Sequence, residues 1–172
     1  MVLAARSATR FDGVAARLVQ QLKYEGWVRI APVLAGPMAD TVRWAPGCSG
    51  VLVPVPSTPG RLRTRGFNAA DLLAQEVGRI LELPVKRALS RPREALRQVG
   101  LSPSRRAANV RGAFVVEPAS TAALRHHHVF LVDDVLTTGS TGLSAVQTLT
   151  SAGVRSVTLL TFARALPGLP GA

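Results

Sequence analysis

The chain has one cysteine, Cys48, in 172 residues. That excludes an internal disulfide and a cysteine-built zinc cluster, and Cys48 is expected to be a small, half-buried residue. Aromatic residues make up only 5% of the chain and form no interleaved run, so no broad base-stacking surface is encoded. No apolar run approaches the ~20 residues of a membrane-spanning helix. Met1 to Phe11 holds no apolar core of signal-peptide length, and the expectation is a soluble, cytoplasmic protein without membrane contact. Two phosphate-binding signatures are missing as well. There is no Gly-Lys pair for a Walker loop and no G-x-G-x-x-G after an early strand. No internal repeat is present.

Acidic residues are scarce. Ten stand against twenty-one cations, for a net charge of +11, and only Lys23 and Lys86 among those cations are lysines. The imbalance is local: residues 61 to 111 carry a net +8, residues 1 to 60 carry +3, and residues 112 to 172 are neutral. A basic region of this kind attracts polyanions such as pyrophosphate, nucleotides or nucleic acid, although an arginine-rich composition alone also produces basic loops. What the chain has in quantity is apolar residues, at 47% with a mean hydropathy of +0.22, enough for one domain with a real core.

The periodicity alternates helix and strand. Phe11 to Tyr24 reads as an amphipathic helix with Val14, Leu18 and Leu22 on one face. A second helix is expected over Val28 to Val42, broken early by Pro32, then a loop from Arg43 to Ser49. Val51 to Val55 reads as a buried strand. Asn68 is an expected N-cap for a helix over Ala69 to Leu81, with Leu72, Leu73, Val77 and Ile80 in one stripe. Short strands are expected at 83–89 and 113–116, around a polar, basic stretch over 90–109. The last strand is Val157 to Phe162. The tail 166–172, with two prolines and two glycines, is expected to be disordered. Strands alternating with helices predict an α/β fold: a parallel sheet with helices on both faces and ligands beyond the carboxyl ends of the strands. The expected organisation is a helical lead-in (1–45) packed on a core domain (46–165).

Residues 129–141 carry the most chemistry: VFLVDDVLTTGST. Four apolar residues make a buried strand, and Asp133 and Asp134 stand at its carboxyl end. Thr137, Thr138, Gly139, Ser140 and Thr141 form a hydroxyl-rich turn. An amphipathic helix follows, with Leu143, Val146 and Leu149 at helical spacing and Gly153 as its stop. Such a turn offers backbone N–H groups, hydroxyls and a positive helix end to a phosphate, and Gly139 allows close approach. The adjacent carboxylates can accept vicinal ribose hydroxyls and help hold Mg²⁺.

Two further stretches add cations. Val53-Pro54-Val55-Pro56 closes a strand, and Arg61, Arg63 and Arg65 then lead through Gly66 and Phe67 to Asn68, a pattern suited to a diphosphate because arginine offers forked, permanent donors; taken alone, the stretch also reads as a solvated basic loop. Arg91, Gln98, Leu101, Arg105, Arg106, Asn109 and Val110 suit a flexible lid over a charged ligand, although taken alone the stretch reads first as an ordinary surface loop. By contrast, His126-His127-His128 stands just before a strand, where consecutive side chains cannot converge on one metal, so a solvated loop is expected there.

The 129–141 segment is similar to the phosphoribosyl-pyrophosphate (PRPP) motif of the type I phosphoribosyltransferases. Together, Pro54-Val55-Pro56, Arg65-Gly66-Phe67-Asn68, the Arg91 to Val110 pattern and Asp133 to Thr141 resemble, in that order, the ComF family of phosphoribosyltransferase-like proteins. Leu22-Lys23-Tyr24 and Gly26 resemble its lead-in, and the likeness runs over residues 11 to 163. It implies a type I phosphoribosyltransferase fold with a lid loop, and a glycosyltransferase whose acceptor is open. Asp133 and Asp134 would be the catalytic pair on the ribose 2′ and 3′ hydroxyls and on Mg²⁺. Thr137 to Thr141 would hold the 5′-phosphate. Arg61, Arg63, Arg65, Asn68, Gln98, Arg105, Arg106 and Asn109 would serve pyrophosphate and lid. The partners implied are PRPP or a related ribose phosphate, single-stranded or non-specific DNA through the family's link to competence, and a second copy in a homodimer. The alternative reading is a DNA-uptake factor without transferase activity. The four-cysteine zinc module with which many family members begin is not in this sequence. Ala95 lies where the lid commonly has Thr. Thr137 stands where purine-salvage enzymes carry their carboxylate base, which argues against purine transfer. No N-terminal cysteine nucleophile is present for glutamine hydrolysis.

Overall fold

The structure is a computed structural model and describes residues 2–43, 50–91 and 113–166. The elements run β1 (Val2–Arg10), α1 (Gly13–Tyr24), a 3₁₀ turn (Val28–Ile30), α2 (Ala31–Arg43), β2 (Val51–Pro54), α3 (Pro59–Arg65), α4 (Ala69–Leu81), β3 (Leu89–Ser90), β4 (Val115–Val116), α5 (Pro118–Leu124), β5 (His128–Leu136), α6 (Ser140–Ser151) and β6 (Ser156–Arg164). Four strands form one parallel sheet in the order β1-β6-β5-β2, and β3 and β4 pair antiparallel beside it.

Side-chain alternation splits the core between the two faces of the sheet. Leu52, Phe130, Val132, Leu160 and Phe162 face one way and pack with Val19 and Leu22 of α1, Leu34 and Met38 of α2, and Leu73 and Val77 of α4. Val51, Val53, Val129, Leu131, Val157 and Leu159 face the other way, against Leu124 of α5 and Ala145, Val146 and Leu149 of α6. Both faces are therefore covered, the condition under which parallel strands read as unbroken apolar runs. Each fully buried Leu or Val contributes ~1.5–3 kcal/mol.

Several expectations are corrected. Residues 2–10 form a strand, not part of a purely helical lead-in, and β1 joins the sheet edge beside β6. Pro32 does not break α2 but sits in its first turn, where its missing N–H has no partner to lose. Residues 59–65 are a helix, where the alternate arginines read as a loop. α5 lies where no element was expected. Val14 is 61% exposed and Leu143 50% exposed, so each expected stripe loses its first residue; Leu22 of α1 and Val146 and Leu149 of α6 are buried as expected, joined by Val19 and Ala145. Cys48, the lid residues Gln98, Arg105, Arg106 and Asn109, and tail residues 167–172 lie outside the described residues.

Candidate functional site

β5 does not stop at Val132 but runs through both acids to Leu136. Successive strand residues point to opposite faces, so Asp133 and Asp134 diverge. Asp133 follows the face of α6 and lies opposite Thr161 of β6 in the sheet register. Asp134 follows the face of α1, is 8% exposed, and meets the Lys23 ammonium, with Nζ 2.8 Å from Oδ1. The backbone N–H of Asp134 donates to Asp133 Oδ1 at 2.9 Å and fixes the Asp133 rotamer.

The hydroxyl turn builds a small cavity at the start of α6. Gly139 is the N-cap with φ 77°, a left-handed conformation that costs an L side chain ~1–2 kcal/mol. Its carbonyl accepts the Leu143 N–H at 2.8 Å and starts the helix. A cavity of about 40 Å³ lies there, lined by Asp133, Thr137, Gly139, Ser140, Thr141 and Thr161 among others. Thr138 is the one turn residue expected at the phosphate that does not line it. Its Oγ1 lies 2.9 Å from Ser140 Oγ, across the exposed outside of the turn.

A second cavity, of about 260 Å³, shares Asp133, Thr137 and Thr141 with the first. Lys23, Arg61, Arg65, Arg91 and Asp134 also line it. The helical form of 59–65 explains which arginines reach it. Arg61 and Arg65 are four residues apart and share a face of α3; Arg63 is two from each and points away, exposed. Arg65 is held over the ring of Tyr24 at 4.6 Å. Arg91 is held twice: its Nε donates to the Pro56 carbonyl at 2.8 Å, and its guanidinium lies 4.3 Å from the centre of the Phe114 ring.

Asn68 occupies the N-cap position of α4, yet its side chain does not cap the helix. Its Nδ2 donates to the Val55 carbonyl at 3.0 Å, and its Oδ1 accepts from Ser57 Oγ at 2.9 Å. It is thus the brace of the 55–58 loop that floors the larger cavity. Gly66, with φ 79°, makes the left-handed turn between α3 and α4. Sequence reasoning missed Thr161, and it named Lys23 and Tyr24 only as part of a family-like lead-in, with no role in the site. By periodicity Lys23 reads as a solvated helix cation, and the fold brings it to Asp134.

Electrostatics set the two acids apart. Burial pushes the Asp133 carboxyl up to about 7; Asp134 beside it adds to the rise, while the Asp134 N–H, Lys23 and Arg91 oppose it. Burial lowers the Arg91 guanidinium from its ordinary value, Asp133 opposes that shift, and Arg61 adds to it. Among the described residues no group of three or more acidic, His or Cys side chains is placed to hold a metal. Mg²⁺ asks for less, since one or two carboxylates, water and ligand phosphates complete its shell. Asp133, which faces both cavities, fits that part. The histidines do not converge. His128 lies between Ser156 Oγ at 2.6 Å and Thr158 Oγ1 at 2.9 Å, and His127 Nδ1 is 2.7 Å from the Ala123 carbonyl. Burial lowers the His128 pKa.

No protein-family model matches the chain. Among curated proteins it is similar to competence protein F of Haemophilus influenzae, at 33% identity over 86% of this chain and 67% of that one. It is equally similar to DNA utilization protein YhgH of Escherichia coli K12 and of Salmonella typhimurium, at 33% identity over 87% of this chain and 66% of each. The chain thus spans about two thirds of the length of these relatives. Among solved structures it is similar to glutamine PRPP amidotransferase from B. subtilis complexed with ADP and GMP, at 23% identity, with a TM-score of 0.45 over 74% of this chain and 25% of that one. With 33% identity to competence protein F across most of its length, the chain belongs to the competence protein F (ComF) family.

Proposed function

We propose that this protein binds PRPP with Mg²⁺ and acts as a phosphoribosyltransferase. One observation carries the reading. A hydroxyl-lined cavity at a helix N-terminus and a cation-walled cavity share Asp133, Thr137 and Thr141. That is the layout a sugar with a phosphate at one end and a diphosphate at the other requires. The 5′-phosphate sits at the start of α6, where backbone N–H groups and the helix dipole favour an anion. Asp133 and Asp134 accept from the ribose hydroxyls at the strand end. Arg61 and Arg65 take the diphosphate.

In the transfer, the bond from ribose C1 to pyrophosphate breaks and a bond from C1 to the acceptor forms. Positive charge develops on the sugar, and pyrophosphate leaves with the electron pair. The chain's part is to fix the sugar, neutralise the leaving group and exclude water. Mg²⁺, held by Asp133 and the ligand's phosphates, would share the pyrophosphate charge. Thr137 is no base at neutral pH, so the acceptor must bring a nucleophile that needs no carboxylate at that position. The test is thermal. Millimolar PRPP with Mg²⁺ should raise the melting temperature, since a ligand at a hundredfold excess over its Kd adds ~2.7 kcal/mol of stability. No rise would overturn the proposal.

A second reading draws on the names of the relatives, competence protein F and DNA utilization protein. Arg63 points away from both cavities on the exposed face of α3, and Tyr24, under Arg65, is 72% exposed. Two other cations of the basic region are already engaged, Arg87 with Asp71 at 2.7 Å and Arg79 with Glu76 at 3.1 Å. Single-stranded DNA along α3 would be held by phosphate contacts without sequence preference, each adding about −0.7 to the slope of log K against log salt.

A further inference from the structure

We propose that Lys23 is a ligand-binding residue of this site, its ammonium bridging Asp134 and the diphosphate arm of a phosphorylated ribose. The inference rests on the PRPP reading and adds to it a residue from an element, α1, that the motif does not contain.

Three observations carry it. The Lys23 side chain is only 20% exposed and lines the larger cavity together with Arg61, Arg65 and Arg91. A lysine serving only solubility would extend into water. Its ammonium has three donors, of which Asp134 Oδ1, at 2.8 Å, takes one. The others are left for whatever fills the cavity. Finally, the next residue, Tyr24, seats Arg65 over its ring at 4.6 Å. The last turn of α1 therefore sets two cations at once, and a shift of that turn would move both relative to the ligand.

The residue type fits the task. Nineteen of the twenty-one cations are arginines, and this position holds one of the two lysines. A compact ammonium can meet one carboxylate oxygen and one phosphate oxygen together, whereas a planar guanidinium needs a wider, flat opening. With Lys23 matched to Asp134, a ligand meets a neutral pair and not a buried bare carboxylate, which would repel its phosphates.

The experiment is calorimetric titration of PRPP and of inorganic pyrophosphate, each with Mg²⁺, into the wild type, Lys23→Met, Asp134→Asn and the Lys23→Met, Asp134→Asn double variant. Pyrophosphate has no ribose, so it reports on the cations alone. Lys23→Met should weaken both ligands on the order of tenfold or more, as loss of a charge-assisted bond implies. Lys23→Met by itself strands the Asp134 charge and can unfold the protein; the double variant removes both charges and keeps the comparison open. Against Asp134→Asn, the double variant should again lose on the order of tenfold in pyrophosphate affinity. Equal pyrophosphate affinity in those two would show that Lys23 serves only as the partner of Asp134, and would overturn the inference. A wild type that binds pyrophosphate through Lys23 but not PRPP would overturn the PRPP reading and leave Lys23 as an anion ligand.

Discussion

Asp133 and Asp134 are chain neighbours, joined by a 2.9 Å hydrogen bond from the Asp134 N–H to Asp133 Oδ1, yet they belong to opposite faces of the sheet. Asp134 faces α1 and is matched by Lys23; Asp133 faces α6 and sits between the two cavities. The pair is therefore two different carboxylates, and the consequences can be measured.

The first concerns pH. Burial holds Asp133 at about 7, above the ordinary value of 3.8. A carboxyl with a raised folded-state pKa favours folding while it is protonated, and that contribution is lost as pH rises from about 4 through about 7. Wild-type stability should fall across that window relative to Asp133→Asn. At pH 8 the variant should be the more stable by on the order of 1–2 kcal/mol, less than the whole shift because the side chain keeps some contact with water. Chemical denaturation of both proteins at pH 4, 6 and 8 checks this. Parallel curves would contradict the pKa.

The second separates the three arginines of α3. Arg61→Ala and Arg65→Ala should each weaken pyrophosphate binding by about tenfold, while Arg63→Ala should leave it unchanged, since only the first two share the cavity face. Arg63→Ala should instead reduce the salt slope of any single-stranded DNA binding by about 0.7. Equal effects of all three on pyrophosphate would mean that 59–65 does not act as a helix.

The third tests the turn. At Gly139 an added Cβ would meet only Leu136 Cδ1, at 3.6 Å, so space is not the obstacle. With φ at 77°, Gly139→Ala should cost ~1–2 kcal/mol in stability through backbone strain. It should also weaken phosphate binding, because the relaxed turn no longer presents the start of α6. Denaturation and a phosphate titration read the two effects separately.

Much of this architecture was legible. The stripe Leu72, Leu73, Val77, Ile80 predicted a helix over Ala69 to Leu81, and α4 has those bounds. The apolar run before Asp133 predicted the central strand. What was not legible had weak local signals. β1 is an edge strand whose residues 4, 5, 7 and 8 are Ala or Ser, with little apolar surface to reveal a period. α6 buries Val146 and Leu149 as their spacing predicted, but fills the rest of its inward face with Gly142, Ser144 and Ala145, too small to signal burial, while Leu143 is half exposed. Residues 61–65 read as a basic turn or loop leading to the next helix, while Thr58, whose hydroxyl accepts the Arg61 N–H, and Pro59 at the helix start were the helix signal to weigh instead. Asn68 stands where a cap belongs, but its Oδ1, the atom that would cap, accepts from Ser57 Oγ, and its Nδ2 donates to the Val55 carbonyl. The site's motif residues were legible because their chemistry is local. Lys23 and Thr161 were not, because each meets Asp133 or Asp134 only through the sheet and the packing of α1.

On the proposed reading one ligand spans both cavities, with its phosphate at the start of α6 and its diphosphate among the cations. Calorimetry of PRPP, ribose 5-phosphate and inorganic pyrophosphate, each with Mg²⁺, tests it most directly in the wild type and in Asp133→Asn. PRPP should bind more tightly than either fragment, and Asp133→Asn should weaken PRPP and ribose 5-phosphate more than pyrophosphate. PRPP binding no tighter than pyrophosphate, with Asp133→Asn indifferent to the sugar, would contradict it.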